Sequence, residues 1–245
     1  KDRTPPETLR LGDDPWRVRV VPNRYPAFER DEVVIHCPEH ARTFADLPDD
    51  QTALVAETWR RRAATAREEG YGYVHAFVNE GRGAGASLGH SHSQLVWLRE
   101  APPALRSETD ATCRVCDVLS VEGSQRARLV AERDDLVAVA PAAGRAPYEL
   151  LLAPVVHDGD AFGPALDSAL ALLALLVRAL RTVEGPVPWN AWLHVGRHWH
   201  LELVPRLSTF AGTELGAGIF VLTVAPEDAA AALRRALEQD RGDGR

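Results

Sequence analysis

The sequence predicts an α+β fold built from a duplicated unit, with mostly antiparallel sheets and helices packed against them. Three observations carry that expectation. β-rich runs sit in hairpin-like pairs and do not alternate one to one with helical segments, which disfavours a doubly wound parallel sheet. One order of elements occurs twice along the chain. A His-x-His pair stands at the corresponding place in each copy.

Taken in order, Arg17 to Val21 alternates with period two and stops at Pro22-Asn23, and Val33 to His36 is a second strand closed by Pro38. Cys37 falls where strand is expected, as a small half-buried residue. Asp49 to Glu69 is a polar amphipathic helix, entered at Pro48-Asp49-Asp50 and left at Gly70. The cluster Arg60-Arg61-Arg62 is expected on its solvated face. Tyr73 to Val78 and Gln94 to Leu98 are strands separated by the glycine-rich stretch Gly81 to Gly89, and Arg99 to Pro103 is a connector. Strands then follow at Arg128 to Ala131, Leu136 to Ala140 and Glu149 to Leu152. A long helix covers Phe162 to Arg181, with its leucine stripe read as core or as a dimer face. Trp192 to Val195, Leu201 to Val204 and Ile219 to Val224 are the last strands, and Pro226-Glu227 opens a final helix. His75 and His194 lie in apolar strands and are expected to be packed, as are most of the six tryptophans.

The repetition can be measured. Pro22 precedes His40 by 18 residues, and His40 precedes His90-x-His92 by 50; Pro141 precedes His157 by 16, and His157 precedes His198-x-His200 by 41. The expected division is a first unit at 1–105 carrying the chemistry and a second, degenerate unit at 106–245. Methionine is absent, even at position 1, so a preceding segment is expected. Cys116 lies 25 residues before Pro141, and the same offset from Pro22 would place a C-x-x-C pair just upstream of Lys1.

Composition narrows the class. The 245 residues carry 28 Lys+Arg against 35 Asp+Glu, a net charge of −7, with 45% hydrophobic and 26% charged residues. That is a globular composition, and an acidic balance with no basic stripe argues against a nucleic-acid partner. The longest apolar run, Ala169 to Val177, is about half a membrane span. A cytoplasmic setting without a membrane is expected. Three cysteines are too few for a disulfide scaffold, and Cys113-x-x-Cys116 is read first as half a zinc site and second as a redox pair.

The chemistry concentrates between Phe77 and Gln94. Strand alternation would point His90, His92 and Gln94 to one face. The glycines before them let the backbone approach a phosphate and offer N–H donors. A histidine beside such a loop can attack phosphorus, and a neutral amide can hold the phosphoryl oxygens without entering proton transfer.

At these residues the chain resembles the galactose-1-phosphate uridylyltransferase branch of the histidine-triad superfamily. The likeness extends over Trp16 to Pro26, Cys37 to His40, Asn79 to Gln94 and Trp199 to Arg206. It implies tandem histidine-triad-like units and a nucleotidyltransferase. His92 would attack the α-phosphorus of a nucleotide sugar, releasing a sugar 1-phosphate, and a second phosphate acceptor would then take the nucleotidyl group. Gln94 matches the glutamine that holds the phosphoryl oxygens, and Asn79, Gly85 and Ser87 match the phosphate-contacting loop. Asn23 and Tyr25 match a segment near the nucleoside, and Glu214 lies in a segment that faces substrate in the family, with capping of local backbone as its alternative. Ser91 and Ser93 depart from the H-P-H-G-Q of the well-known uridylyltransferases and resemble the ADP-sugar phosphorylase relatives, which use phosphate as acceptor. Two alternatives stay open: phosphorolysis of an ADP-sugar or dinucleotide polyphosphate, and a non-catalytic zinc-stabilised nucleotide-binding protein.

Zinc is the expected cofactor. Cys113, Cys116, His157 and His198 form a Cys2His2 set suited to a structural site, and family members carry zinc at matching positions. A first-unit site would use His40 and His90 with cysteines from the expected upstream segment. His200 has no glutamine two residues on, so the second copy is expected to be silent, with His200 lining a partner subunit's site if a homodimer forms.

Overall fold

The computed structural model of the chain describes residues 5–106, 113–157 and 159–242. Ten strands form one antiparallel sheet: β1 (Leu9–Leu11), β2 (Val18–Pro22), β3 (Arg30–Ile35), β4 (Tyr73–Glu80), β5 (His92–Leu98), β6 (Leu129–Arg133), β7 (Leu136–Val139), β8 (Leu150–Pro154), β9 (Trp189–His194) and β10 (His200–Pro205). The helices are α1 (Asp49–Glu68), α2 (Pro103–Arg106), α3 (Arg114–Gln125), α4 (Ala165–Glu184), α5 (Gly212–Ala217) and α6 (Pro226–Gly242), with 3-10 turns at Phe44–Asp46 and Arg82–Ala84.

The strand order is β1-β2-β3-β5-β4-β9-β10-β8-β7-β6. Read from its two edges inward, it is the same arrangement twice, and the copies join where β4 pairs β9. Phe77 lies opposite Trp192, and Asn79 opposite Asn190. A rotation about that junction carries β5 onto β10, and both strands begin at the second histidine of a His-x-His pair. The tandem α+β architecture therefore agrees with the expectation.

One face of the sheet carries the core. Val74, Ala76, Val78, Leu95, Trp97, Ala191, Leu193, Leu201 and Leu203 pack in one cluster with Val55, Trp59 and Ala63 of α1 and Leu166, Leu170, Leu173 and Val177 of α4. The spacing along α4 is the three-four repeat of an amphipathic helix, and each buried leucine contributes roughly 1.5–3 kcal/mol. The alternate residues, among them Phe77, Asn79, Gln94, Asn190 and Trp192, are half-buried on the other face. There α3 covers a smaller cluster of Leu129, Val137 and Val139.

Four expectations need correction. Ile219 to Val224 is not a strand and pairs with none of the ten; Ile219 and Val221 are exposed, and a short helix, α5, precedes them. Arg62 is not solvated but buried, with its guanidinium held by both oxygens of Glu32 at 2.9 Å. Cys37 lies just past the end of β3 and is buried. His90 precedes β5 instead of sharing its alternation, so only His92 and Gln94 of the three share a strand face.

Candidate active site

His92 is the first residue of β5 and only 7% exposed. Its Nδ1 lies 2.8 Å from the carbonyl oxygen of His90, which can only accept, so Nδ1 carries the proton and Nε2 keeps its lone pair. Burial pushes its pKa below the usual 6.5; the bond to the His90 carbonyl opposes that, and the neighbouring His90 ring adds to it. This is a neutral imidazole with one nitrogen fixed and the other available.

Two cavities meet at this residue. The larger, about 700 Å³, is of mixed polarity and lined by Asn79, Glu80, Arg82, Ser87 and Arg42 among others. The smaller, about 580 Å³, is lined by Trp16, Ile35 and Leu88 together with His40, Arg42 and His90. Arg42 borders both. A nucleophile at the junction of an apolar cavity and a mixed one that carries three arginines and Asn79 can receive a molecule with a flat apolar part and an anionic part.

Asn79 lies two residues after Phe77 and His92 two before its partner Gln94, so the two face each other just past the last pair of the β4–β5 ladder. Asn79 Oδ1 accepts a 2.7 Å bond from Asn190 Nδ2, which also donates to the carbonyl of Ala84 at 2.8 Å. With its oxygen so engaged, Asn79 turns its amide N–H groups the other way. Asn190 thus reaches from the second copy to hold both an asparagine of the first and its glycine-rich loop. Sequence inspection does not single it out, since only the β4–β9 register brings it there. Gly85 ends the 3-10 turn at φ 87°, a left-handed conformation that favours glycine.

Other expected site residues stand apart from His92. Asn23 forms a local turn, accepting from the Tyr25 amide at 3.0 Å and donating to Asp31 at 2.9 Å. Tyr25 is 78% exposed. Glu214 accepts from the Ala211 amide at 2.8 Å and so caps α5, the local alternative anticipated for it. None of the three lines either cavity.

Cys113, Cys116, His157 and His198 converge, with their donor atoms all within 4.8 Å of one another. Cys116 Sγ is 3.1 Å from His157 Nδ1 and 3.3 Å from His198 Nδ1, and Cys113 Sγ is 3.5 Å from His198 Nδ1. Zinc–sulfur bonds of about 2.3 Å and zinc–nitrogen bonds of about 2.0 Å place tetrahedral ligands roughly 3.5 Å apart, so the set fits a closed zinc centre. His198 Nε2 lies 2.7 Å from the carbonyl of Pro154, which keeps that proton there and turns Nδ1 to the sulfurs. Cys113 also caps α3, so a bound metal would clamp that helix to the ends of β8 and β10. In the first copy, His90 Nε2 lies 2.8 Å from the Glu39 carbonyl, and the His40 and His90 rings are 5.9 Å apart. Among the described residues no third such side chain completes a group with them.

The site residues of the second copy differ. His200 bonds the His198 carbonyl at 3.0 Å, as His92 bonds that of His90. Two residues on stands Glu202 in place of a glutamine, and His194 stacks on His200 at 4.4 Å. Burial alone would raise the Glu202 pKa, but the His200 bond and the charge of Arg145 hold it at about 2. His194, His200 and Glu202 also form a compact donor group, but Arg145 already neutralises its carboxylate.

The family model "Galactose-1-phosphate uridyl transferase, N-terminal domain" matches residues 27–103, the segment that holds β3, β4, β5 and the loop between β4 and β5. Over that segment the chain resembles the galactose-1-phosphate uridylyltransferase family. An ADP-glucose phosphorylase of Arabidopsis thaliana is 28% identical over 94% of this chain and 78% of its own length. A galactose-1-phosphate uridylyltransferase of Thermotoga maritima is 24% identical over 86% and 82%. Among solved structures, the Arabidopsis ADP-glucose phosphorylase with bound ADP-glucose superposes with a TM-score of 0.82 at 27% identity, covering 95% of this chain and 87% of that one. A uridylyltransferase superposes with a TM-score of 0.83 at 27% identity, covering 97% and 90%. The chain is an enzyme of this nucleotidyltransferase type. No helix among the described residues is long and apolar enough to cross a membrane.

Proposed function

We propose that the protein transfers a nucleoside monophosphate from a nucleotide sugar through a nucleotidyl-histidine at His92. The observation that carries this reading is the fixed tautomer: Nδ1 is bound to a carbonyl, leaving Nε2 as the nucleophile at the meeting point of two cavities. In the first step Nε2 attacks the α-phosphorus in line. The N–P bond forms, and the bridging P–O bond breaks with its electrons leaving on the sugar 1-phosphate. In the second step an oxygen of a sugar 1-phosphate or of inorganic phosphate attacks, the N–P bond breaks, and its electron pair returns to Nε2. Gln94, Asn79 and Ser87 would hold the phosphoryl oxygens, with Arg42 and Arg82 as cationic contacts in the larger cavity. The apolar side, with Trp16 and Leu88, suits the base. Asn23, Tyr25 and Glu214 would serve substrate only if another element or a second copy brought it to them. We propose the division into a catalytic half at 1–105 and a supporting half at 106–245, with zinc held by Cys113, Cys116, His157 and His198.

Phosphorolysis of an ADP-sugar is the second reading. It is favoured by the extent of the match to ADP-glucose phosphorylase, which covers 94% of this chain. One experiment addresses both. The protein is incubated with UDP-glucose or ADP-glucose and its intact mass taken under mild conditions, then chased with galactose 1-phosphate or phosphate. A nucleotidyl adduct that is absent in His92→Ala supports the intermediate, the better donor names the base, and the better chase names the acceptor. No adduct from either donor would refute the reading.

A further inference from the structure

Ser91 borders the larger cavity, but the hydroxyls of the two serines of the H-S-H-S-Q motif are spent elsewhere. Ser91 and Ser93 alternate with His92 and Gln94 and so face the other side of the sheet, where both are buried. There they enclose His36, which has no exposed surface. His36 Nδ1 is 2.9 Å from Ser91 Oγ, and Nε2 is 3.0 Å from Ser93 Oγ. Trp59 of α1 donates its indole N–H to the same Ser93 oxygen at 2.9 Å. Gln51, also on α1, donates to the His36 carbonyl at 2.5 Å. The Ser91 amide donates to the Ala41 carbonyl at 2.8 Å.

The donor inventory orders this chain of bonds. Trp59 can only donate, so Ser93 Oγ accepts from it and passes its own proton to His36 Nε2. His36 then carries its proton on Nδ1 and donates to Ser91. A doubly protonated ring would be a full charge with no carboxylate among these partners and would take away the acceptor of the Ser93 hydroxyl proton, which is costly in a dry interior.

We infer that His36 is a positioning residue for the nucleophile: it locks the peptide on each side of His92 by holding Ser91 and Ser93, and the serines therefore set the attacking nitrogen's place and not the choice of base. The inference rests on His92 being the nucleophile. The motif variation then has a packing cause. Serines at these two places go with a hydrogen-bonding ring at position 36, and a Pro/Gly pair would leave that ring unsatisfied.

The test uses quenched-flow measurement of His92 nucleotidylation by UDP-glucose and ADP-glucose in the full chain. His36→Phe and the paired Ser91→Ala/Ser93→Ala variant are each expected to slow the step by about 10- to 100-fold, the scale of a small misplacement of a reacting group. Half-saturating donor should stay within about threefold, and the ratio of UDP-glucose to ADP-glucose rates should not move. His36→Gln, whose amide can donate and accept, should recover part of the rate. Combining His36→Phe with the serine pair should add no further loss, since groups acting as a unit are non-additive. Nitrogen chemical shifts of His36 at neutral pH should show one pyrrole-type and one pyridine-type nitrogen. Wild-type rates in folded His36→Phe or in the serine variant, a changed base preference, or a doubly protonated His36 would each overturn the inference. If the wild-type chain forms no adduct while His36 shows the expected ring state, the fault lies with the nucleophile assignment, and the positioning role falls with it.

Discussion

Asn190→Ala probes whether the second copy serves the chemistry of the first. The substitution removes two bonds, of 2.7 Å to Asn79 and 2.8 Å to the Ala84 carbonyl, in a half-buried setting. At about 0.5–1.5 kcal/mol net for each, stability should fall by about 1–3 kcal/mol. For a chain of this length that lowers Tm by roughly 2–4 °C per kcal/mol. The kinetic effect has its own scale. Deleting a donor that meets developing charge costs about 10²- to 10³-fold, and Asn79→Ala should show that loss. Asn190→Ala leaves Asn79 in place but free to turn, forfeiting about 1–1.5 kcal/mol of orientation, or about tenfold in rate. Quenched-flow formation of nucleotidyl-His92 reports the rate, and thermal unfolding reports stability. The double variant should be no slower than Asn79→Ala alone, because Asn190 acts through Asn79. Rates within twofold of wild type, with Tm lowered as expected, would refute the orienting role and leave Asn190 a structural residue.

Other outcomes follow from the same geometry. Gln94→Ala should form the His92 adduct about 10²- to 10³-fold more slowly in single turnover, with adduct still detectable. Activity requires neutral His92, whose pKa burial holds below 6.5, so a pH–rate profile should stay level through 6.5 and fall only at lower pH; an inflection above 6.5 contradicts the buried environment. Cys116→Ser should lose the zinc of the Cys2His2 set by elemental analysis, and hydrogen exchange should show α3 losing protection while β4 and β5 keep theirs; equal zinc content in the variant would rule the site out. Arg62→Met leaves Glu32 buried without its guanidinium and should cost about 3–5 kcal/mol in denaturant unfolding, whereas a solvated arginine would cost almost nothing.

Much of this architecture is legible in the sequence because it rests on local pattern. The leucines of α4 repeat at three and four, β4 and β5 alternate, and the spacing of paired histidines exposes the duplication that the sheet order repeats. What escaped depends on partners far along the chain. Ile219 to Val224 has strand composition, but a strand forms only where an edge accepts it. Arg62 reads as one of three surface arginines, although it shares a helix face with Trp59, Ala63 and Ala66, all of them buried; counting by helical turns reveals it. The C-x-x-C opens a helix because Cys113 Sγ accepts the Cys116 amide at 3.4 Å, a cap that serine or aspartate would ordinarily announce. His36 and Asn190 carried no local signal at all, since their partners come through β3–β5 and β4–β9 pairing.

Charge and space would keep the second copy silent. A phosphoryl group brought to His200 would meet Glu202, a carboxylate with a pKa near 2, where His92 offers the neutral amide of Gln94. Like charges at contact distance cost about 4 kcal/mol near a protein surface, and Arg145 is already committed to Glu149 as well as Glu202. The place that Asn79 fills beside His92 is taken by His194, stacked on His200 at 4.4 Å, so the ring has a neighbour where substrate would sit. The loop is short too: β4 and β5 are separated by residues 81–91, but β9 and β10 only by residues 195–199. On the division proposed above, this half retains what the other uses. It supplies the β9 strand that completes the sheet beside β4, Asn190 bonded to Asn79, and a Cys2His2 set that would tie its own edge together around zinc. Restoring a glutamine at Glu202 would therefore remove the repulsion without creating an active site, because the loop and the asparagine would still be missing.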